Sequence, residues 1–175
     1  MIGTIRRGAG SDKRDCGSRL VLLMLAVAAA GGCGYRGGPL SRSAKTAYCP
    51  VCGMKVGVDG PLTCQIVFSD DTKLMFESPG DMLQFYLAPE TYGKTGAQKD
   101  RANIRSILVR DYQTHEMLAG ESATFVYNSR VKGPMGDDIF AFKDRSDAAS
   151  FASEHGGSVV VLSEITPEIV RDLRK

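Results

Sequence analysis

The sequence predicts an α+β fold of two tandem ββαβ units packed together, preceded by a signal peptide and a flexible tether. Three observations predict it. Residues 1–33 run from basic to apolar to small, a polar Gly-rich stretch follows, and the order strand, strand, helix, strand occurs twice in the remaining 128 residues. A segment of about 55 residues is too small to be very stable alone, so the two copies are expected to pack on each other or share a sheet edge.

Residues 1–19 carry Arg6, Arg7, Lys13, Arg14 and Arg19 against Asp12 and Asp15, and "LVLLMLAVAAA" (20–30) runs without a charge. This is the order of an export signal, and the apolar run falls short of the roughly 20 residues a membrane-spanning helix needs. It closes in "AAGGC", which resembles the lipobox of bacterial lipoproteins, where the cysteine, here Cys33, becomes the acylated first residue. Ala30 stands where such boxes usually carry Leu. A secretory signal cleaved near Ala30, with Cys33 an incidental thiol, is the alternative. The boundaries expected are a signal peptide over 1–32, a lipidated tether over 33–47, a first ββαβ unit over 48–113 and a second over 114–175. Removing 1–32 takes five basic and two acidic residues from the chain's 22 and 20, leaving 17 against 18. A mature chain so near neutrality has no basic patch of the kind nucleic acid requires.

The tether "GYRGGPLSRSAKTA" (34–47) has almost nothing to bury. In the first unit, "CQIVFS" (64–69) and "TKLMFES" (72–78) are β-prone runs joined by Asp70-Asp71, a hairpin signal. "PGDMLQFYLAPETYG" (79–93) starts with Pro79 and places Met82, Leu83, Phe85, Tyr86 and Leu87 on one broad face, which predicts a helix; "IRSILVRDY" (104–112) predicts a strand. In the second unit, "ATFVYNS" (123–129) and "DDIFAFKD" (137–144) are strands, "RSDAASFASEHGG" (145–157) is a helix closed by its glycines, and "SVVVLSEI" (158–165) is a strand. The seven phenylalanines fall where burial is expected, and Met75, Met82 and Met117 read as gap fillers on the same faces.

The remaining sulfurs do not fit that description. "CPVCGM" (49–54) places Cys49, Cys52 and Met54 together, and "GPMG" (133–136) presents Met135 at a chain reversal. A C-x-x-C pair opens zinc knuckles, redox centres and soft-metal sites alike. A structural zinc site takes four protein ligands, and here there is no second C-x-x-C, His115 and His155 are far along the chain, and Cys64 would still leave the set one short. A redox pair is normally placed where a strand runs into a helix, whereas this one follows the tether and precedes "MKVGVDG", which looks like a turn. A simple Cys49–Cys52 disulfide suits an oxidising compartment. It leaves Met54 unexplained, and two thiolates with a thioether form the soft set that selects Cu(I). No Ser/His/Asp or paired-carboxylate arrangement and no phosphate loop can be argued, so no enzymatic activity is expected. Three readings stay open: a Cu(I) carrier, a thiol-disulfide oxidoreductase, and a binding module stapled by its cysteines.

Cys33, the tether, "CPVCGM", "CQIVFSDDTKLMFESPGDMLQFY" (64–86) and "GPMGDDIFAFKDRSDAASFASEHGG" (133–157) resemble the NosL family of copper-binding lipoproteins, accessory factors of nitrous oxide reductase. The resemblance implies two ββαβ units and a periplasmic, membrane-anchored metallochaperone that delivers Cu(I) to a cuproenzyme, nitrous oxide reductase, with the membrane assembly machinery of that enzyme as a further partner. It implies a role in copper binding for Cys52, Met54 and Met135, with Cys49 at a position where members carry Cys or His. Gly133 replaces the usual Ser, and Cys64 adds a thiol that could ligate or pair.

Overall fold

In the computed structural model, which describes residues 47–173, each repeat builds its own antiparallel sheet. The expected signal peptide, Cys33 and all of the tether except Ala47 lie outside the described residues. In the first repeat, β3 (Cys64–Phe68) lies between β4 (Lys73–Phe76) and β5 (Ile104–Arg110), and all five of its residues are buried. A strand covered on both faces needs no polar alternation, which is why "CQIVF" reads as a nearly continuous apolar run. The β3–β4 reversal forms at Asp70-Asp71 as expected: Asp70 Oδ1 accepts from the Thr72 N–H at 2.9 Å, and Asp71 takes φ +63°. Helix α1 (Pro79–Leu87) begins with Ser78 as N-cap and Pro79 in the first turn, and buries Met82, Leu83 and Phe85. The single helix expected over 79–93 breaks at Ala88. Pro89 lacks the N–H that would continue the ladder and drives the residue before it out of the helical region, so Ala88 sits at φ −139°, ψ 59° and a one-turn helix, α2 (Pro89–Tyr92), follows.

The second repeat sets β7 (Thr124–Tyr127) between β10 (Phe140–Phe142) and β11 (Ser158–Val161), with α3 (Arg145–His155) ending at Gly156, φ +76°. The strand expected over 137–144 is shorter because its first residue belongs to a separate hairpin of β8 (Lys132–Gly133) and β9 (Gly136–Asp137). The one expected over 158–165 ends at Val161, where a 3₁₀ turn begins. Three further features carry too few residues for a period to show in the sequence. They are a hairpin of β1 (Ala47–Tyr48) and β2 (Lys55–Val56), the edge strand β6 (Met117–Ala119) beside β5, and α4 (Pro167–Asp172) packed on α1. No helix among the described residues is long and apolar enough to cross a membrane.

The two repeats share one core. Phe68, Phe76 and Phe85 of the first meet Phe125, Ile139 and Ala141 of the second in one cluster. On β7 the alternation of side chains sends Phe125 into that cluster and Val126 into another, where Phe140 and Phe142 pack against Ala148 and Phe151 of α3. The second sheet therefore lies between α3 and the first repeat, and all seven phenylalanines are core, as expected. At the end of β5 the sheets touch through a bridge between Asp111 and Ala141. The buried Asp111 carboxylate ties the join: Oδ1 accepts from the N–H groups of Gln113 (2.9 Å) and Thr114 (2.7 Å), and Oδ2 from Lys143 N–H of the second repeat at 2.6 Å. Burial pushes this carboxyl up, but the Thr114, Lys143 and Gln113 donors outweigh it and hold Asp111 below the usual carboxylate range.

Asp111→Ala is expected to lower the unfolding free energy by about 1–3 kcal/mol, because it takes the acceptor from three part-buried N–H groups at once, and urea midpoints would measure it. A carboxyl with a depressed folded pKa stabilises above its unfolded value of 3.8 and loses that contribution as the pH falls below it. The variant should therefore also lose part of the parent's acid sensitivity below that pH.

Candidate metal centre

Residues 49–54 form the loop of the β1–β2 hairpin, closed by Cys49 N–H to Met54 O at 2.8 Å and Gly53 N–H to Cys49 O at 2.9 Å. Gly53 has φ +76° with open space around its missing side chain, so the requirement there is backbone conformation alone. The stretch expected to be a turn after the cysteines thus supplies a strand, Lys55–Val56, and Val56 is anchored in the shared core. The loop brings the two thiols together with a residue the sequence did not single out. Cys49 Sγ, Cys52 Sγ and a carboxylate oxygen of Asp81 all lie within 4.8 Å of one another.

Cys49 is 1% exposed and its thiol donates to Asp81 Oδ2 at 3.2 Å; Cys52 is half-buried, with a longer 3.9 Å contact to Glu77 Oε2. Asp81 comes from the first turn of α1, held there by Ser78, whose Oγ accepts the Asp81 N–H at 3.5 Å. A carboxylate in the first turn also suits the positive end of the helix dipole. Burial pushes the Cys49 thiol up, and it pushes Cys52 up to about 12 with help from Asp81. A thiol-disulfide exchange centre needs a shift in the other direction. The same carboxylates that disfavour thiolates favour a cation, so the electrostatics suit a metal ion that displaces the thiol protons.

Met135 sits at the tip of the β8–β9 hairpin. It is 51% exposed, and it lines a cleft of about 390 Å³ with Ser78, Gly80, Asp81, Asp137 and Asp138. Asp81 therefore belongs to both the cysteine cluster and the methionine cleft. Met54 is 38% exposed, and with Tyr48 and Met135 it makes up the large apolar side chains exposed among the described residues, all on or beside these two hairpins. Hydrophobic burial does not account for either methionine. Cys64 is fully buried, makes no disulfide, donates to Leu62 O at 3.1 Å and is outside the Cys49–Cys52–Asp81 group, although it shares a buried cluster with Cys49. His115 and His155 are outside that group too. The one signal for Asp81 in the sequence is Ser-Pro-Gly-Asp at a helix start, which marks a cap and says nothing of what the cap faces.

Residues 40–170 match the family described as NosL. A relative from Stutzerimonas stutzeri, "Copper-binding lipoprotein NosL", is 30% identical over 125 residues; the match covers 71% of this chain and 64% of the relative, so the chain spans less than two thirds of that protein's length. The crystal structure of the copper chaperone NosL from Shewanella denitrificans superposes with a TM-score of 0.61 at 22% identity, covering 75% of this chain and 98% of that one, a likeness of fold.

Thiol labelling of the reduced protein should follow burial. Iodoacetamide with peptide mapping is expected to modify Cys52 first, Cys49 more slowly and Cys64 only in denaturant. The Cys52 rate should still be climbing above pH 10, because a thiol pushed up to about 12 is scarcely ionised below that. A rate that levels off near pH 9 would show an ordinary thiol.

Proposed function

The chain belongs to the NosL family, and from that premise we propose that it is a membrane-tethered Cu(I) carrier that delivers its ion to a copper enzyme, with nitrous oxide reductase as the acceptor. The observation that carries the reading is the position of Asp81, common to the Cys49–Cys52 pair and to the cleft of Met135. The ligands proposed are Cys49, Cys52, Met54 and Met135. Two thiolates and exposed thioethers form a soft set suited to Cu(I) at low coordination number, and Asp81 takes no part as a soft donor. Its place is to receive the Cys49 proton, which already points at Oδ2, when copper displaces it and the proton leaves through the cleft.

Delivery proceeds by ligand exchange. The thioethers are neutral and exposed, so an acceptor's ligands reach them first; Cys49, buried beneath the loop, lets go last. An ion held on hairpin tips can be handed over without unfolding a core element. Anchoring is assigned to acylated Cys33 on the order of residues 1–33 and on the naming of the Stutzerimonas stutzeri relative as a lipoprotein. On this reading the chain faces the periplasm and is no enzyme.

A second reading has one observation in its favour. Asp81 and Glu77 supply the oxygen donors that the sequence lacked for zinc, and two thiolates with two carboxylates would satisfy Zn(II) tetrahedrally. The thioethers separate the two, since zinc has little use for them.

Competition with a Cu(I) chelator should find one tight equivalent in the parent and none in Cys52→Ser. Met135→Leu keeps volume and removes sulfur, and is expected to weaken Cu(I) about tenfold, ~1.4 kcal/mol, while leaving zinc unchanged. Zinc that outcompetes copper in the parent would favour the second reading. Separately, Cys33→Ser should move the protein from the membrane fraction to the soluble fraction, and unchanged sedimentation would mean another anchor.

A further inference from the structure

Asp138 is 4% exposed and stands between the two halves of the site. Its Oδ1 accepts from the Gly80 N–H of α1 at 2.9 Å and from its own neighbour Ile139 N–H at 2.8 Å. The slot that holds this carboxylate has a glycine on each side, one from each repeat. A Cβ on Gly80 would lie 2.5 Å from Oδ1, and a Cβ on Gly133 would run into Oδ2 and the Asp138 Cβ. Gly80 immediately precedes Asp81, and Gly133 is the last residue of β8, two before Met135. Backbone from both halves thus closes on one buried carboxylate, far tighter than any side chain larger than hydrogen allows.

We propose that Asp138 is a positioning residue that latches the Met135 hairpin to the N-terminus of α1, so that Met135 and the cysteine loop face the same ion. The β8–β9 hairpin has two pairs of residues, and Lys132 and Asp137 form an ion pair across it at the surface. So short a hairpin has little stability of its own, and its tip needs an external tie to stay where the metal is. Asp138 supplies that tie with charge-assisted hydrogen bonds, at the very helix turn that also presents Asp81. Burial pushes its carboxyl up to about 6 against the Ser78, Ile139 and Gly80 donors, so an acid is kept here although an apolar residue would cost less to bury. The proposal rests on the Cu(I) reading of the site.

The test compares Cu(I) affinity by chelator competition, and sulfur number from copper K-edge X-ray absorption, in the full-length protein and four variants. Asp138→Ala should bind about tenfold more weakly and lose one sulfur from the copper shell, as Met135→Leu does. The double variant should lose no more than either alone, because both remove the same ligand. Asp138→Asn keeps an acceptor for both N–H groups and should retain the parental affinity and sulfur number. Should Asp138→Ala fail to fold, Gly133→Ala displaces the carboxylate from the other side and is expected to give the same two losses. Parental affinity and sulfur number in the displaced variant, or losses that add in the double variant, overturn the latch alone. A parent that binds no Cu(I) overturns the carrier reading and the latch with it.

Discussion

Two aspartates exchanged between repeats hold this molecule in the arrangement its site requires. Asp111, at the end of the first repeat, takes the Lys143 N–H of the second; Asp138, in the second, takes the Gly80 N–H at the start of the first repeat's helix. Each carboxylate is buried, and each also satisfies donors of its own segment. A buried acid that loses its donors is costly, so the two repeats have one relative placement in which both are satisfied. Apolar packing between the repeats supplies most of the cohesion but little of the register, because phenylalanine clusters tolerate small shifts that a hydrogen bond of 2.6–2.9 Å does not.

That placement brings the cysteine loop and the methionine cleft to one residue, Asp81. The cysteine loop and the methionine tip are both hairpin turns that converge on the first turn of α1, where Cys49 is buried while Met54 and Met135 stay exposed. Such an arrangement keeps the two thioethers near solvent while Asp81 is fixed by the helix. It also explains why the thiols hold their protons in the absence of metal. Burial and nearby carboxylates oppose thiolate, which slows thiol-disulfide exchange at this pair.

Much of this was legible in the sequence, and the errors are instructive. The repeat of strand, strand, helix, strand showed through because strands near five residues and helices near ten leave a period in the pattern. The phenylalanine core was legible, and so was the exposure of Met135, because a methionine between Gly-Pro and Gly at a reversal is not placed for a core. The break at Ala88 was also written in the chain, as Pro89, and was missed because the apolar face of the helix continues past it in the sequence. The β1–β2 and β8–β9 hairpins left no trace, since paired segments of two residues have no periodicity to read.

The sequence by itself determined the longer local elements, the two thiols and two thioethers proposed as ligands, and the soft-metal chemistry that such a set permits. These follow from residue type and spacing, which act over a few bonds. Only the tertiary structure decided that Asp81 stands beside the thiols, that Cys64 is sealed in the core and outside their group, and that Asp138 fills a slot between Gly80 and Gly133. Each of these depends on which end of α1 faces which hairpin, a matter of packing between segments 30 to 60 residues apart (the Cys49–Asp81 and Gly80–Asp138 separations are 32 and 58). Carboxylates are common on any soluble chain, and nothing in their immediate neighbours marks the few that packing will bury against a partner.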